Sequence, residues 1–163
     1  MYENILVYFL ILEIRGDRLV KTWKIIVAAI IFMIISQVIH TIESFITMDY
    51  YTDQNYFPVW SKIMMPTVGP PPIEFYYYSL TFAFITGLLF TGVYTVVTKG
   101  IPGKTLVKKG LIYGLLIWLV GGIPGYLAMI LLINLPVDLI AYWAVTGLII
   151  NLLGGVAIAK IAK

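Results

Sequence analysis

Four stretches of this chain are each long and apolar enough to cross a lipid bilayer, at residues 23–48, 76–97, 111–133 and 137–159. A helix needs roughly 20 mainly apolar residues to cross the hydrocarbon core. Only helices and closed barrels satisfy every backbone hydrogen bond inside lipid, so runs of this length predict helices. We therefore predict an all-α integral membrane protein, a four-transmembrane-helix bundle that forms one membrane domain over residues 1–163.

The composition agrees with a membrane location. The chain is 61% hydrophobic and 12% charged, whereas a soluble domain has about 25% charged residues. The net charge of +3 comes from basic residues that flank the apolar stretches, where they can anchor the chain to anionic lipid headgroups. This pattern predicts the lipid bilayer as a partner and argues against nucleic-acid binding.

The basic residues are distributed unevenly along the chain, and their distribution predicts the topology. Ten of the eleven lie before the first span, between the second and third, or at the end of the chain: Arg15, Arg18, Lys21, Lys24, Lys99, Lys104, Lys108, Lys109, Lys160 and Lys163. Only Lys62 lies in the loop 49–75. Because lysine and arginine near span ends stay on the cytoplasmic side, both termini and the loop 98–110 are predicted to be cytoplasmic. The protein is therefore expected to be a multi-pass protein of a cell (cytoplasmic) membrane.

The segments outside the spans have distinct compositions. Residues 1–22 form a cytoplasmic or interfacial segment, in which the apolar stretch 5–14 is too short to cross and is typical of a helix lying on the membrane surface. The outer loop, residues 49–75, is rich in aromatic residues and proline. Loops of this length are often functional, and the aromatic content predicts that this one is folded across the outer mouth of the bundle.

The third span carries regularly spaced glycines. Gly110, Gly114, Gly121 and Gly125 follow one another at spacings of four, seven and four residues, which predicts one helical stripe. The fourth span offers a matching face of small residues, which comprises Ala144, Gly147, Asn151 and Gly154. Such surfaces let helices approach closely in lipid, so the stripe is expected to pack against the fourth span or a second subunit. A homo-oligomer or a partner membrane subunit is therefore predicted, and a kink is expected at Pro124.

The strongest chemical signal lies on the first span. Ser36, His40, Glu43 and Thr47 recur at spacings of four, three and four residues and form one polar stripe, which Gln37 and Ser44 widen. Ionisable residues inside a span are costly and by default mark a functional site. His40 and Glu43 are close enough to share a proton or bind one metal ion. The alternative is structural, with His40 bonded to Glu43 or Tyr94 and locking the bundle.

The predicted outer surface is acidic, because Lys62 is its only basic residue while the rim carries Asp49, Asp53, Glu74 and Asp138. Such a field attracts cations. The preferred hypothesis is that the protein binds or moves a small cationic or polar ligand, such as a proton, a metal ion or a small solute, through an outward-facing polar cleft. Candidate ligand-binding residues from other spans are Tyr94 and Asn151.

Two other function classes remain open. A non-catalytic accessory or scaffold subunit would use its glycine surfaces to bind partner helices. An intramembrane enzyme acting on a lipid-like substrate is less favoured, since the chain has no second histidine, no nucleophile with an evident base and no carboxylate pair at catalytic spacing. No catalytic residue is predicted.

No cofactor is strongly implied. The absence of cysteine excludes iron–sulfur clusters and cysteine-ligated zinc, and a single histidine excludes a bis-histidine haem within one subunit. Met48, Met64 and Met65 with His40 would be a soft ligand set suited to Cu(I). Methionine is also an ordinary residue of apolar cores.

Overall fold

The computed structural model describes residues 22–67 and 69–163, which contain helices and no strand. Four helices are long and apolar enough to cross a membrane, and we number them as the first to fourth spans: Thr22–Ile46, Ile73–Val97, Leu106–Leu132 and Val137–Ile161. A 25-residue helix is about 38 Å long and exceeds the ~30 Å hydrocarbon core. The prediction of an all-helical structure with four such helices is confirmed for the described residues. The predicted interfacial stretch 5–14 and the basic residues Arg15, Arg18 and Lys21 lie outside the described residues.

The helix boundaries follow local signals that hydropathy alone does not report. The third span begins five residues earlier than predicted because the Thr105 hydroxyl accepts the Lys108 N–H at 3.2 Å and caps the helix. The second begins directly after Pro72, three residues earlier than predicted. In the fourth, Asp138 in the first turn and Lys160 in the last turn complement the helix dipole.

The third span is not a uniform α-helix. It consists of an α-helix Leu106–Ile117, a π-helical turn Trp118–Gly122 and a second α-helix Ile123–Leu132. The Ile123 N–H donates to the Trp118 carbonyl, five residues back. Pro124 has no N–H, so it cannot donate to the carbonyl four residues before it, and the irregularity lies where the sequence predicts a kink.

The first and fourth spans form the middle of the bundle. The first packs against the second and the fourth, while the third packs mainly against the fourth. Buried side chains fill the half of the bundle away from the loop 47–72: Phe32 lies 5.5 Å from Phe90, and Tyr94 lies 5.1 Å from Tyr113 between ring centroids. The Tyr113 hydroxyl donates to the Phe90 carbonyl at 2.5 Å and joins the second and third spans.

The connection between the first and second spans, residues 47–72, is here called the long loop. It contains a short helix, Met48–Thr52, and a 3-10 turn, Phe57–Val59. Backbone hydrogen bonds hold further turns, including the bond from Met65 N–H to the Ser61 carbonyl at 2.8 Å. The loop is therefore folded, and Trp60 contacts Trp143 of the fourth span with ring centroids 6.4 Å apart.

Candidate functional site

A cavity of about 910 Å³ lies beneath the long loop, and we call it the long-loop cavity. Its walls come from the end of the first span, the long loop, the start of the second span and the hairpin between the third and fourth. Ligand pockets in proteins commonly have volumes of about 300–1,000 Å³. The cavity is thus large enough for an organic molecule.

Glu43 supplies a buried acidic group to the wall of this cavity. The Glu43 residue is 6% exposed, and Thr47, one helical turn further on, is fully buried. The Thr47 hydroxyl donates to the Glu43 carboxylate Oε1 at 2.7 Å and lies 2.9 Å from the Glu43 backbone carbonyl. Because an unpaired buried charge is costly, this hydrogen bond stabilises and orients the carboxylate.

His40 lies next to Glu43 but does not complete a close ion pair. Its Nδ1 is 3.9 Å from the Glu43 Oε2, beyond hydrogen-bond distance, and its side chain is 51% exposed. Among the described residues, no group of three or more histidine or carboxylate side chains could hold a metal ion. Glu43 thus lines the cavity with His40 as a loosely held neighbour of its second carboxylate oxygen.

Polar side chains continue from Glu43 along the first span. Gln37, Thr41 and Ser44 also line the cavity. The Ser79 hydroxyl of the second span donates to the Gln37 amide oxygen at 3.1 Å, and this bond ties the polar stripe to the second span. One side of the cavity is thus polar and held between two spans.

Aromatic side chains form another part of the cavity wall, which we call the aromatic wall. Tyr51 and Trp60 have ring centroids 5.0 Å apart, and the Trp143 indole N–H donates to the Tyr51 hydroxyl at 3.1 Å. Burial raises the pKa of Tyr51, and the nearby Glu43 charge raises it further. Tyr51 therefore stays protonated and uncharged at neutral pH.

Trp60 has an unsatisfied polar atom in this wall. Its indole N–H is buried, and it has no acceptor among the described residues. Most buried donors in folded proteins have a partner. Because this atom is fully buried, a molecule in the cavity does not reach it in this arrangement.

The predicted ligand-binding residues do not all reach the cavity. Gln37, His40 and Glu43 line it, whereas Ser36, Thr47, Tyr94 and Asn151 do not. Thr47 instead donates a hydrogen bond to the Glu43 carboxylate, and Ser36 is buried inside the bundle. Tyr94 is near the opposite end of its span, because the second span runs away from the long loop.

Asn151 belongs to a different part of the bundle. It borders a smaller crevice of about 450 Å³ beside the π-helical turn, together with Phe90 of the second span. Its amide nitrogen donates to the Gly147 carbonyl at 2.7 Å. The prediction that Tyr94 and Asn151 join the His40 and Glu43 site is therefore corrected by their positions along the spans.

The predicted acidic rim divides in a similar way. Asp53 lines the cavity, and its carboxylate accepts the Asn55 N–H at 2.9 Å. Asp49, Glu74 and Asp138 are exposed at the same end of the bundle and do not line it. They make no direct contact inside it, and because they are exposed, water and salt screen their charges.

Other lining residues were not part of the sequence-predicted site. Trp143 had no sequence signal, because its position depends on the fourth span meeting the long loop. Four methionines line the cavity, namely Met48, Met64, Met65 and Met129. The first three were the soft ligand set considered for Cu(I), and the structure adds Met129 from the third span.

The glycines of the third span do not form one packing stripe. Gly110 and Gly114 are buried against the fourth span, where an added Cβ at Gly110 would lie 2.5 Å from the Val156 Cα. Gly121 and Gly125 are exposed and have nothing within 4 Å of an added Cβ. The π-helical turn between the two pairs rotates the second pair out of register, because it adds a residue to the helix.

The fourth-span face also differs from its prediction. Gly155, which was not predicted, faces Gly110 and Gly114. Gly154 faces the Phe32 ring of the first span, and Gly147 faces the Tyr126 hydroxyl. The adjacent pair Gly154 and Gly155 therefore lets the fourth span contact two neighbours on different sides.

Neither protein-family models, nor curated proteins, nor solved structures match this chain at a significant level.

Proposed function

We propose that this protein is a multi-pass membrane protein that binds a small cationic or polar ligand in the long-loop cavity, with Glu43 as the anchoring charge. The observation that carries the proposal is a carboxylate, 6% exposed, on the wall of a cavity of about 910 Å³. Two acidic side chains and no lysine or arginine are among the described lining residues. This imbalance favours a cation over an anion.

Binding is favoured over passage through the bundle. Below the cavity, large side chains including Phe32, Tyr94 and Tyr113 fill the core. A path to the other end would require these side chains to move apart, and close-packed cores resist such movement. We therefore propose that the protein binds its ligand. Transport would require a second conformation in which the core side chains are packed differently.

The proposed site is testable with a panel of cations on the purified full chain. Glu43→Gln removes the charge and keeps an oxygen that can accept the Thr47 hydroxyl. The matched control is Glu74→Gln, which alters an exposed carboxylate outside the cavity. The panel comprises Na⁺, Zn²⁺, Cu⁺, guanidinium and hexanoylcholine.

We expect at least one cation of the panel to stabilise the wild type and the Glu74→Gln protein against thermal unfolding. Glu43→Gln should lose about ten-fold or more in affinity, which corresponds to about 1.4 kcal/mol. The proposal would be overturned if the wild type bound no cation of the panel. It would also be overturned if Glu43→Gln bound every cation as tightly as the wild type does.

The proposed orientation places both termini and the Lys99 to Lys109 segment in the cytoplasm and the long loop outside. Its support is the ten-to-one distribution of basic residues. Reporter fusions at Lys163 and at Gln54 should report opposite compartments, cytoplasmic for Lys163 and external for Gln54. Reporters in the same compartment would contradict the four-span topology.

A second candidate function is that of a subunit in a homo-oligomer or a larger membrane complex. The observation that favours it is the exposed pair Gly121 and Gly125, beside which a partner helix could approach closely. This role is compatible with ligand binding, because the pair lies outside the long-loop cavity.

A further inference from the structure

We propose that the ligand of the long-loop cavity is an organic ammonium compound that has an apolar body. This inference rests on the proposed function and names the chemical class of its ligand. Three features of the cavity, namely its volume, its aromatic lining and the buried Glu43 residue, constrain that ligand.

The volume excludes a bare ion as the best-fitting ligand. A cavity of about 910 Å³ has room for many non-hydrogen atoms, whereas a zinc site is closed by about four ligands at about 2.0–2.3 Å. Among the described residues no group of three histidine or carboxylate side chains is available for such a site. The apolar lining, including the four methionines, instead suits a hydrocarbon body.

The aromatic wall and Glu43 together suit an ammonium group. Seven aromatic residues line the cavity, namely Phe45, Tyr51, Phe57, Trp60, Phe75, Tyr76 and Trp143. Aromatic faces attract cations, and quaternary ammonium groups are commonly bound in aromatic cages. Glu43 supplies the compensating charge without requiring hydrogen-bond donors from the ligand.

The proposed ligand class therefore combines an ammonium group, which Glu43 and the aromatic side chains attract, with an apolar body that contacts the rest of the lining. The same chemistry occurs in free choline-type compounds and in the headgroups of choline lipids.

The test uses the full chain in nanodiscs of phosphatidylglycerol, which has no ammonium group. Hexanoylcholine is titrated against its uncharged carbon isostere, 3,3-dimethylbutyl hexanoate, and against octyltrimethylammonium, a second ammonium compound with an apolar body. Calorimetry with protein-free nanodiscs as the blank measures each affinity. We expect the isostere to bind at least about ten-fold more weakly than hexanoylcholine, since it loses the charge.

Two variants assign the contacts. Glu43→Gln should weaken both ammonium compounds about ten-fold or more, and Glu74→Gln should weaken neither. Trp60→Leu removes one aromatic face and keeps an apolar side chain, so it should weaken both ammonium compounds several-fold more than it weakens the uncharged isostere. Equal losses for the ammonium compounds and the isostere in Trp60→Leu would overturn the aromatic assignment.

The failure of this inference can be distinguished from the failure of the proposed function. Binding of Zn²⁺, Cu⁺ or guanidinium that depends on Glu43, with no binding of hexanoylcholine, would overturn this inference and support the proposed function. No Glu43-dependent binding of any probe would overturn both. In nanodiscs of phosphatidylcholine, weaker hexanoylcholine binding supports the lipid headgroup as the source, and unchanged binding supports a free compound.

Discussion

Replacing Gly114 with leucine should destabilise the protein by about 1–3 kcal/mol or more, the range expected for overpacking a close contact. At this position the third and fourth spans touch through their backbones. An added Cβ would collide with the Asn151 carbonyl oxygen, lie 2.6 Å from the Asn151 carbonyl carbon and lie 3.0 Å from the Leu152 Cα. Backbone atoms cannot rotate away as a side chain can, so the two spans would have to separate.

The matched control is Gly121→Leu in the same span. An added Cβ at Gly121 has nothing within 4 Å, and leucine is a better helix former than glycine by roughly 1 kcal/mol or less. We expect the monomer's stability in detergent to be unchanged or slightly increased. Equal destabilisation of the two variants would contradict the described contact between the third and fourth spans.

The same control tests the subunit hypothesis. If Gly121 and Gly125 form a contact with a second helix, Gly121→Leu should dissociate the oligomer and leave the stability of each chain unchanged. Native mass spectrometry of the wild type and of Gly121→Leu reports the difference. A wild type that is monomeric in both detergent and nanodiscs would contradict the subunit hypothesis.

The second large effect is expected for Thr47→Val, which should destabilise the protein by about 1.5–3 kcal/mol, the range for a hydrogen bond to a charged group. Valine has the shape of threonine but cannot donate to the Glu43 Oε1, which the Thr47 hydroxyl contacts at 2.7 Å. Because Glu43 is buried, its carboxylate would lose this bond without gaining full solvation.

Thr91→Val is the matched control for Thr47→Val. Thr91 of the second span is likewise fully buried, and its hydroxyl donates to a backbone carbonyl one turn back, that of Gly87, at 2.7 Å. No carboxylate is involved, so its loss should cost about 1 kcal/mol or less. Unfolding by denaturant titration in mixed micelles measures both variants, and a smaller loss for Thr47→Val than for Thr91→Val would contradict the role assigned to Thr47.

Hydropathy predicted the four spans because a bilayer requires long apolar helices whatever their packing. Helical periodicity also placed Glu43 and Thr47 on one face, because residues four apart in a helix are neighbours. Both inferences need only local periodicity. The helices that begin at Ile73 and Leu106 start earlier than predicted, because a proline run and a threonine cap, which hydropathy does not report, fix these first residues.

The remaining features depend on information that is not local. One π-helical turn at Trp118–Gly122 changes the phase of every later residue in the third span, so regular spacing misplaces Gly121 and Gly125. Trp143 reaches the cavity only because the fourth span packs beneath the long loop. Tyr94 and Asn151 are polar side chains in spans, but they lie at positions along their helices that are distant from Glu43.

The most direct measurement of the central claim is the position of a bound cation relative to Glu43. The arsenic analogue of hexanoylcholine replaces the ammonium nitrogen with an atom that can be located by anomalous diffraction. Crystals of the full chain grown with this compound should show one arsenic peak inside the long-loop cavity, about 4–6 Å from the Glu43 carboxylate, the range in which opposite charges interact strongly. An arsenic peak outside that cavity, or no peak at a saturating concentration, would contradict the account.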